Sequence, residues 1–388
     1  MFEFLWLLLP VAAASGWFAA KRSSSRSQEQ KCSDLSSEYF EGLNYLLNEQ
    51  PDKAIEVFIR MVEVDKDTVE THLALGSLFR RRGEVDRAIR IHQNLIARPT
   101  LTRDQKSQAL LELGEDYMKA GLFDRAENLL LELIELKSHT PTALQHLIDI
   151  YQQEKDWDKA IRMSRMYESS TGQSMHRVIA QYYCEMAQTA IEEQNESQAE
   201  SLIKQAFSQD GDCVRASILL GQLEQRNGNY KDAVKAYQRI LDQDVEYLPE
   251  VIDEIQECYR KLDDEPRMQK FLDDILARYN GITPMLVKAE YLLEQQGEKE
   301  ALAFMANQLQ KRPSVRGLQW LVEQNLERTE GRARENLTIL RDLIHLLLKD
   351  KPIYECNLCG FTGKTLHWQC PSCKQWNTVK PIKGVEAE

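Results

Sequence analysis

The chain has 388 residues, 43% of them hydrophobic, and a formal net charge of −12. That length exceeds one ordinary domain, and that apolar content excludes a wholly disordered chain. The acidic balance argues against nucleic acid as a partner, because non-specific binding needs Lys and Arg to neutralise phosphates. Only 17 glycines and 11 prolines occur, so with Leu, Ala, Glu, Gln, Lys and Arg abundant the composition points to helix throughout.

The first element in chain order is apolar. Residues Phe4 to Ala20 carry no charge, and 17 helical residues span about 25 Å, slightly short of a bilayer core of roughly 30 Å. Interfacial Trp6 and Trp17 and local thinning absorb the mismatch. A cleaved secretory signal would carry positive charge before the apolar run. Here Glu3 precedes it, and Lys21, Arg22, Arg26 and Lys31 follow. Residues 1–20 therefore read as a single-pass anchor with the N-terminus outside and the bulk of the chain in the cytoplasm. A Ser-rich linker over 21–35 follows.

A repeat then begins. "GLNYLLNEQPDKAIEVFIRMV" (42–62), "GSLFRRRGEVDRAIRIHQNLI" (76–96) and "GEDYMKAGLFDRAENLLLELI" (114–134) share Gly, then an aromatic, then Ala at matching positions. The alanines at 54, 88, 126, 160, 199 and 233 are spaced 34 to 39 residues apart. This resembles the tetratricopeptide repeat (TPR), whose period is about 34. Small residues let the two helices of a hairpin approach, while Phe58, Tyr117 and Tyr151 fill the seam. Each D-[RK]-A segment (Asp86-Arg87-Ala88, Asp124-Arg125-Ala126, Asp158-Lys159-Ala160) starts a second helix, where acidic residues suit the helix dipole. About eight or nine hairpins fit over residues 36–350, giving an all-α superhelical solenoid that buries its faces by stacking.

First helices line the concave face of such arrays, which binds peptides or partner domains. Arg80, Arg81, Arg82 and Arg87, with Arg90 nearby, form a basic island that reads either as a docking patch for an acidic partner or as a solvated face. "YYCEMAQ" (182–188) reads as core. His72 and His92 lie inside hairpins and read as packing residues. No G-x-x-x-x-G-K-[ST], G-x-S-x-G or H-E-x-x-H motif occurs, so the chain is not expected to be an enzyme.

The last 38 residues, 351–388, change character. Cys356, Cys359, Cys370 and Cys373 form C-x2-C, a gap of ten, then C-x2-C. Each pair wraps a tight turn, and four thiolates make a tetrahedral site for one iron or zinc ion. Gly360 closes the first turn, whereas Lys374 stands where the second would want glycine. The segment resembles a rubredoxin-like or zinc-ribbon module. A complete sulfur set leaves no open position for Lewis-acid chemistry. His367 could replace a cysteine as ligand, but the four sulfurs already complete a tetrahedron. Tyr354, Phe361, Trp368 and Trp376 are many aromatics for so short a segment, and they predict packing against the nearest neighbour, the last hairpins. The scattered Cys32, Cys184, Cys213 and Cys258 read as reduced thiols filling cores, which with thiolate ligands implies a reducing compartment.

Anchor, repeat array and tetracysteine tail together, through "LLLPVAAASGW" (7–17), "LGSLFRRRGEVDRAIRIHQ" (75–93) and "CNLCGFTGKTLHWQCPSCKQWNTVKPIKG" (356–384), resemble the lipopolysaccharide assembly protein B family of Gram-negative bacteria over essentially the whole chain. The resemblance implies an inner-membrane adaptor that restrains lipopolysaccharide synthesis by promoting degradation of the LpxC deacetylase by the membrane protease FtsH. It also implies an opposing, lipopolysaccharide-sensing inner-membrane regulator, and metal ligands at Cys356, Cys359, Cys370 and Cys373. Two other classes remain open: a general scaffold for envelope enzymes without proteolysis, and a redox protein using tetracysteine iron. TPR arrays and membrane anchors both permit a homo-oligomer.

Overall fold

The computed structural model describes residues 40–45, 48, 50–64 and 69–387. Among these, no helix is long and apolar enough to cross a membrane. The anchor expected at 1–20 and the linker at 21–35 lie outside the described residues, as does Cys32.

The described chain divides into two compact units that meet at Gln173 and Ser174. In the first, helical residues 40–45 pair with α1 (Pro51–Val64), α2 (Val69–Arg81) with α3 (Val85–Ile96), α4 (Arg103–Lys119) with α5 (Phe123–Glu135), and α6 (Thr140–Glu154) with α7 (Trp157–Thr171). Second helices do start at the D-[RK]-A segments, with Asp86, Asp124 and Asp158 in their first turns. The repeat alanines Ala54, Ala88, Ala126 and Ala160 are fully buried.

Two rules of side-chain contact recur. Each repeat glycine faces the residue sixteen positions on, across the hairpin: Gly42 meets Phe58, Gly76 meets His92, Gly114 meets Leu130, and Gly221 meets Tyr237. The approach is tightest at Gly76, where an added Cβ would stand 2.2 Å from His92 Nε2. The second rule links the seam aromatic to the basic residue eight positions later. Lys53 lies over Tyr45, Arg87 over Phe79, Arg125 over Tyr117 and Lys159 over Tyr151, at 5.0 to 5.7 Å from the ring centroid. The basic letter of D-[RK]-A is thus a cation on the ring of its own hairpin.

A buried polar network ties the second hairpin to the third. His92 and Asp116 are fully buried, with Nδ1 2.5 Å from Oδ2. Arg80 donates to Asp116 Oδ1 at 2.7 Å, Glu112 Oε2 at 2.8 Å and Glu115 Oε2 at 2.7 Å. His92 is held in place beneath Gly76, so the ring has nowhere to retreat. Gly76→Ala is therefore expected to lower stability by about 1–3 kcal/mol, the cost of overpacking a filled core. Urea unfolding followed by hydrogen exchange in residues 69–119 would measure it.

The second unit continues the pairing: α8 (His176–Glu192) with α9 (Glu196–Gln209), α10 (Val214–Arg226) with α11 (Tyr230–Gln238), α13 (Ile252–Leu262) with α14 (Glu265–Arg278), α15 (Thr283–Gln295) with α16 (Glu298–Lys311), and α17 (Val315–Leu326) with α18 (Gly331–Lys349). Between the second and third pairs the helix breaks. A single turn, α12 (Ile240–Gln243), passes into a 3-10 helix at Val245–Glu250 that contains Pro249. At the turn before α14, Asp263 takes a left-handed φ of 54° and the Asp264 side chain caps the helix by accepting from the Arg267 amide. A three-stranded antiparallel sheet ends the chain, in order β2–β1–β3, from β1 (Tyr354–Cys356), β2 (Thr362–Gly363) and β3 (Val379–Pro381). Tyr354 is paired with Gly363 on one side and Pro381 on the other.

Candidate metal centre and its docking surface

Two matching turns carry the four sulfurs. In the first, the Gly360 amide donates to the Cys356 carbonyl at 2.9 Å and the Cys356 amide to the Phe361 carbonyl at 2.7 Å. In the second, Lys374 donates to Cys370 at 2.9 Å and Cys370 to Gln375 at 2.9 Å. Gly360 has φ 72° and Lys374 φ 60°. The second turn is therefore closed by a lysine in the left-handed region, which costs a side-chain residue roughly 1–2 kcal/mol. The departure from glycine seen in the sequence changes the strain of the turn and not its path.

The Sγ atoms of Cys356, Cys359, Cys370 and Cys373 all lie within 4.8 Å of one another. Cys356 and Cys373 are 3.8 Å apart, and Cys359 and Cys370 3.6 Å. A tetrahedron with metal–sulfur bonds of about 2.3 Å has edges of about 3.8 Å, so the donor set fits a four-thiolate ion. Backbone amides point at the sulfurs: Phe361 at Cys359, Gln375 at Cys373, and Cys359 and Leu358 at Cys356. Burial pushes the Cys356 thiol up, but Thr378 and those amides bring it down to about 6. For Cys373 the Gln375 amide works downward, yet burial and the three neighbouring thiols push it up to about 11. Four thiolates this close need a cation between them. His367 stands outside the cluster, its ring edge-on to Phe361.

The module does not rest chiefly on the last hairpins, as its sequence position led one to expect. It folds back onto the 3-10 helix and onto the first helices of the second unit. Trp368 stacks on Tyr247 at 5.3 Å, and the buried Arg215 guanidinium of α10 lies 5.6 Å from the same ring. Arg215 is aimed there by Glu185 at 2.7 Å and Gln188 at 2.8 Å, both on α8. Trp376 meets Tyr182 of α8 edge-on at 5.9 Å. The Tyr247 hydroxyl donates to the Val379 carbonyl at 3.1 Å, and the Tyr354 hydroxyl to Glu250 at 2.7 Å. Lys380 bridges Asp244 and Glu246, each at 2.7 Å, and Lys383 reaches Glu246. Terminal-helix contacts are fewer and polar: Lys364 to the Lys349 carbonyl, and the Val315 amide to the Val385 carbonyl. The physical reason is complementarity. Acidic residues 244, 246 and 250 and a buried tyrosine face two lysines and a tryptophan, whereas the exposed side chains of α18 include Ile339, Leu343, Leu346 and Leu347.

Docking has a pH window set by its ion pairs. Hydrogen bonds from Lys380 and Lys383 hold the Glu246 carboxyl below its ordinary 4.5. Its contribution is full above that value and disappears as pH falls through the depressed one. Burial pulls Lys380 down, but Asp244 and Glu246 outweigh it and hold it above 10.5. That contribution is full below 10.5 and lost only above it. The docked state is expected to be insensitive to pH between about 5 and 10 and to loosen in acid. The emission maximum of Trp368 and Trp376 would report it, if metal content is followed in parallel.

The arginines singled out in the sequence separate. Arg80 is turned inward and its charge is taken up by Glu112, Glu115 and Asp116. Arg82 pairs with Asp52 and Glu84, and Arg87 with Glu84 while covering Phe79. Arg81 is exposed. The island is thus largely spent on internal partners of the first unit. Among the thiols read as core fillers, Cys184 and Cys213 are buried side by side, 3.8 Å apart, and Cys258 is buried in the second unit. The docking residues Tyr182, Arg215, Asp244, Glu246 and Tyr247 were not singled out as a site. Their signal was the acidic stretch "DQDVEYLPE" (242–250), opposite in charge to "VKPIK" (379–383).

Comparison with known proteins fits this architecture. The family model for a rubredoxin metal binding domain matches residues 354–381. Tetratricopeptide repeat models match residues 71–106 and 190–252. Lipopolysaccharide assembly protein B of Escherichia coli K12 is 40% identical over 388 residues, covering 100% of both chains. The protein of the same name from Haemophilus influenzae is 36% identical over 395 residues, again across 100% of both.

Proposed function

Because the chain belongs to the lipopolysaccharide assembly protein B family, we propose that it is a non-catalytic adaptor in lipopolysaccharide assembly. In this reading it sits in the inner membrane through residues 4–20, with the N-terminus periplasmic and the repeats cytoplasmic. It holds the LpxC deacetylase on its repeat surface beside the FtsH protease, and a lipopolysaccharide-sensing membrane regulator opposes it. The observation that carries the proposal is the closed four-sulfur set docked on the first helices of the second unit. Such a set supplies a structural clasp with no coordination position left for substrate. The bound ion is iron or zinc, since both accept four thiolates.

Tethering explains why an adaptor with no chemistry of its own could speed proteolysis. Holding a client beside a membrane enzyme raises its effective concentration without any new contact. A chain lacking residues 1–20 is expected to bind the deacetylase still, yet to leave its half-life as long as in a deletion strain. Undiminished turnover by the truncated chain would refute the tether. Reduction of bound iron without change in deacetylase half-life would separate the adaptor from a redox protein.

A further inference from the structure

Two thiols of the second unit stand together outside the metal centre. Cys184 of α8 and Cys213, the residue before α10, are buried, and their sulfurs are 3.8 Å apart. A thiol that only fills a core behaves as a small hydrophobe and needs no polar partners. Cys213 has three. The buried Gln181 side-chain amide donates to its Sγ at 3.4 Å, and the Gln181 carbonyl oxygen has no partner among the described residues. The Ala216 amide at the start of α10 points at the same sulfur, and the Cys184 thiol donates to it. Donation from Cys184 and Ala216 holds the Cys213 thiol below its ordinary 9.0 against burial. Burial, and then Cys213 itself, pushes the Cys184 thiol well above that value. Hydrogen-bond donors, a helix start and the nearby Arg215 are the surroundings that make a cysteine a nucleophile. A second thiol in contact turns its oxidation into a disulfide.

We propose that Cys213 and Cys184 are a modification site for hydrogen peroxide, closing a reversible disulfide with Cys213 as the attacking sulfur and Cys184 as the resolving one. The Cys213 sulfur attacks one peroxide oxygen and the O–O bond breaks. Cys213 becomes a sulfenic acid, and one water leaves with the thiol proton. The Cys184 sulfur then attacks the Cys213 sulfur, the S–O bond breaks, and a second water leaves with the Cys184 proton. Two thiols lose two electrons, and one peroxide becomes two waters. The sulfurs need to close from 3.8 Å to about 2 Å. Cys213 can make that approach because it stands between the turn at Gly211 and the first residue of α10, not within a helix. A cavity of about 400 Å³ reaches the same turn, lined there by Asp210, Asp212 and Val214. Cys213 itself is only 1% exposed, which suits a water-sized oxidant and excludes a bulky one such as oxidised glutathione.

The pair lies beneath the docking surface. On α8, Tyr182 meets Trp376 and Glu185 aims Arg215, and on α10 Arg215 reaches Trp368. Drawing Cys213 toward α8 moves the start of α10 and Arg215 with it, so the disulfide weakens the seat of Trp368. The chemistry does not depend on the adaptor reading.

Peptide mapping of the full-length, metal-loaded chain in detergent after treatment with hydrogen peroxide tests this. The expected product is a cross-linked Cys184–Cys213 peptide, lighter by two hydrogen atoms than its separate halves, formed with the metal retained and reversed by dithiothreitol. Oxidised glutathione should leave the pair reduced. Emission from Trp368 and Trp376 should shift to longer wavelength as the cross-link forms and return on reduction. With dimedone present, Cys184→Ser should carry the adduct on Cys213, whereas Cys213→Ser should carry none on Cys184. Peroxide that oxidises the tetracysteine ligands and leaves Cys184 and Cys213 reduced would overturn the proposal. Dimedone captured by Cys184 in Cys213→Ser would overturn the assigned order of attack, and emission indifferent to the cross-link would overturn its effect on docking.

Discussion

Replacing Cys370 with serine is expected to release the C-terminal module from the helices while leaving the helices standing. The module has almost no core of its own: Cys356, Cys370, Val379 and Pro381 are its buried residues, with Tyr354, Phe361 and Leu366 partly covered. Three strands of two or three residues cannot replace a missing ion, and structural zinc sites of this class contribute about 10–16 kcal/mol to folding. Loss of one ligand should therefore cost most of the module's fold. Metal per chain should fall from one toward zero, and Trp368 and Trp376 should shift to water-like emission. Protease should cut after residue 350, while far-UV circular dichroism stays within the loss expected for a module without helices. Partner binding should fail together with folding. A variant that stays docked and active would show that the ion is dispensable.

Tyr247→Ala is expected to separate docking from folding. The ring is buried, stacks on Trp368 and lies under Lys380 at 5.7 Å, and its hydroxyl reaches the Val379 carbonyl. Removing a buried aromatic of this size costs about 3–5 kcal/mol. Because Tyr247 touches no sulfur, the module should keep its metal and its sheet yet leave the 3-10 helix. Tyr247→Phe removes only the hydroxyl and should cost about 1 kcal/mol. The readouts are one metal per chain retained together with tryptophan emission shifted as in the cysteine variant. If metal were lost in Tyr247→Ala, docking and metal binding would be one event and the 3-10 helix part of the metal site.

Local rules made the hairpins and the sulfur cluster legible in the sequence. Gly, aromatic and Ala recur at hairpin spacing because every unit solves the same close approach, seen at Gly76 over His92 and Gly221 over Tyr237. Two C-x2-C turns imply a tetrahedron wherever they occur. What could not be read was long-range pairing. Nothing in the spacing of Trp368 points to Tyr247 rather than to α18 close by, because repeat periodicity describes only nearest neighbours. Arg80 misled for a related reason. A run of arginines looks exposed until Glu112, Glu115 and Asp116, one repeat later, arrive beside it.

The route of the chain after the 3-10 helix has a consequence for how the protein comes apart. Glu250 accepts a hydrogen bond from Tyr354, 104 residues later, and Tyr247 reaches Val379 across 132 residues. An ordinary repeat array frays from its free end, each hairpin leaning only on its neighbours. Here the end is tied back, so α13 to α18 lie inside a closed loop that must open before the terminal hairpins can unravel. The tie converts a gradual, one-dimensional melting into a more cooperative one. It also makes docking wait for β3, made 132 residues after Tyr247, so the hairpins between them can form before the tie closes.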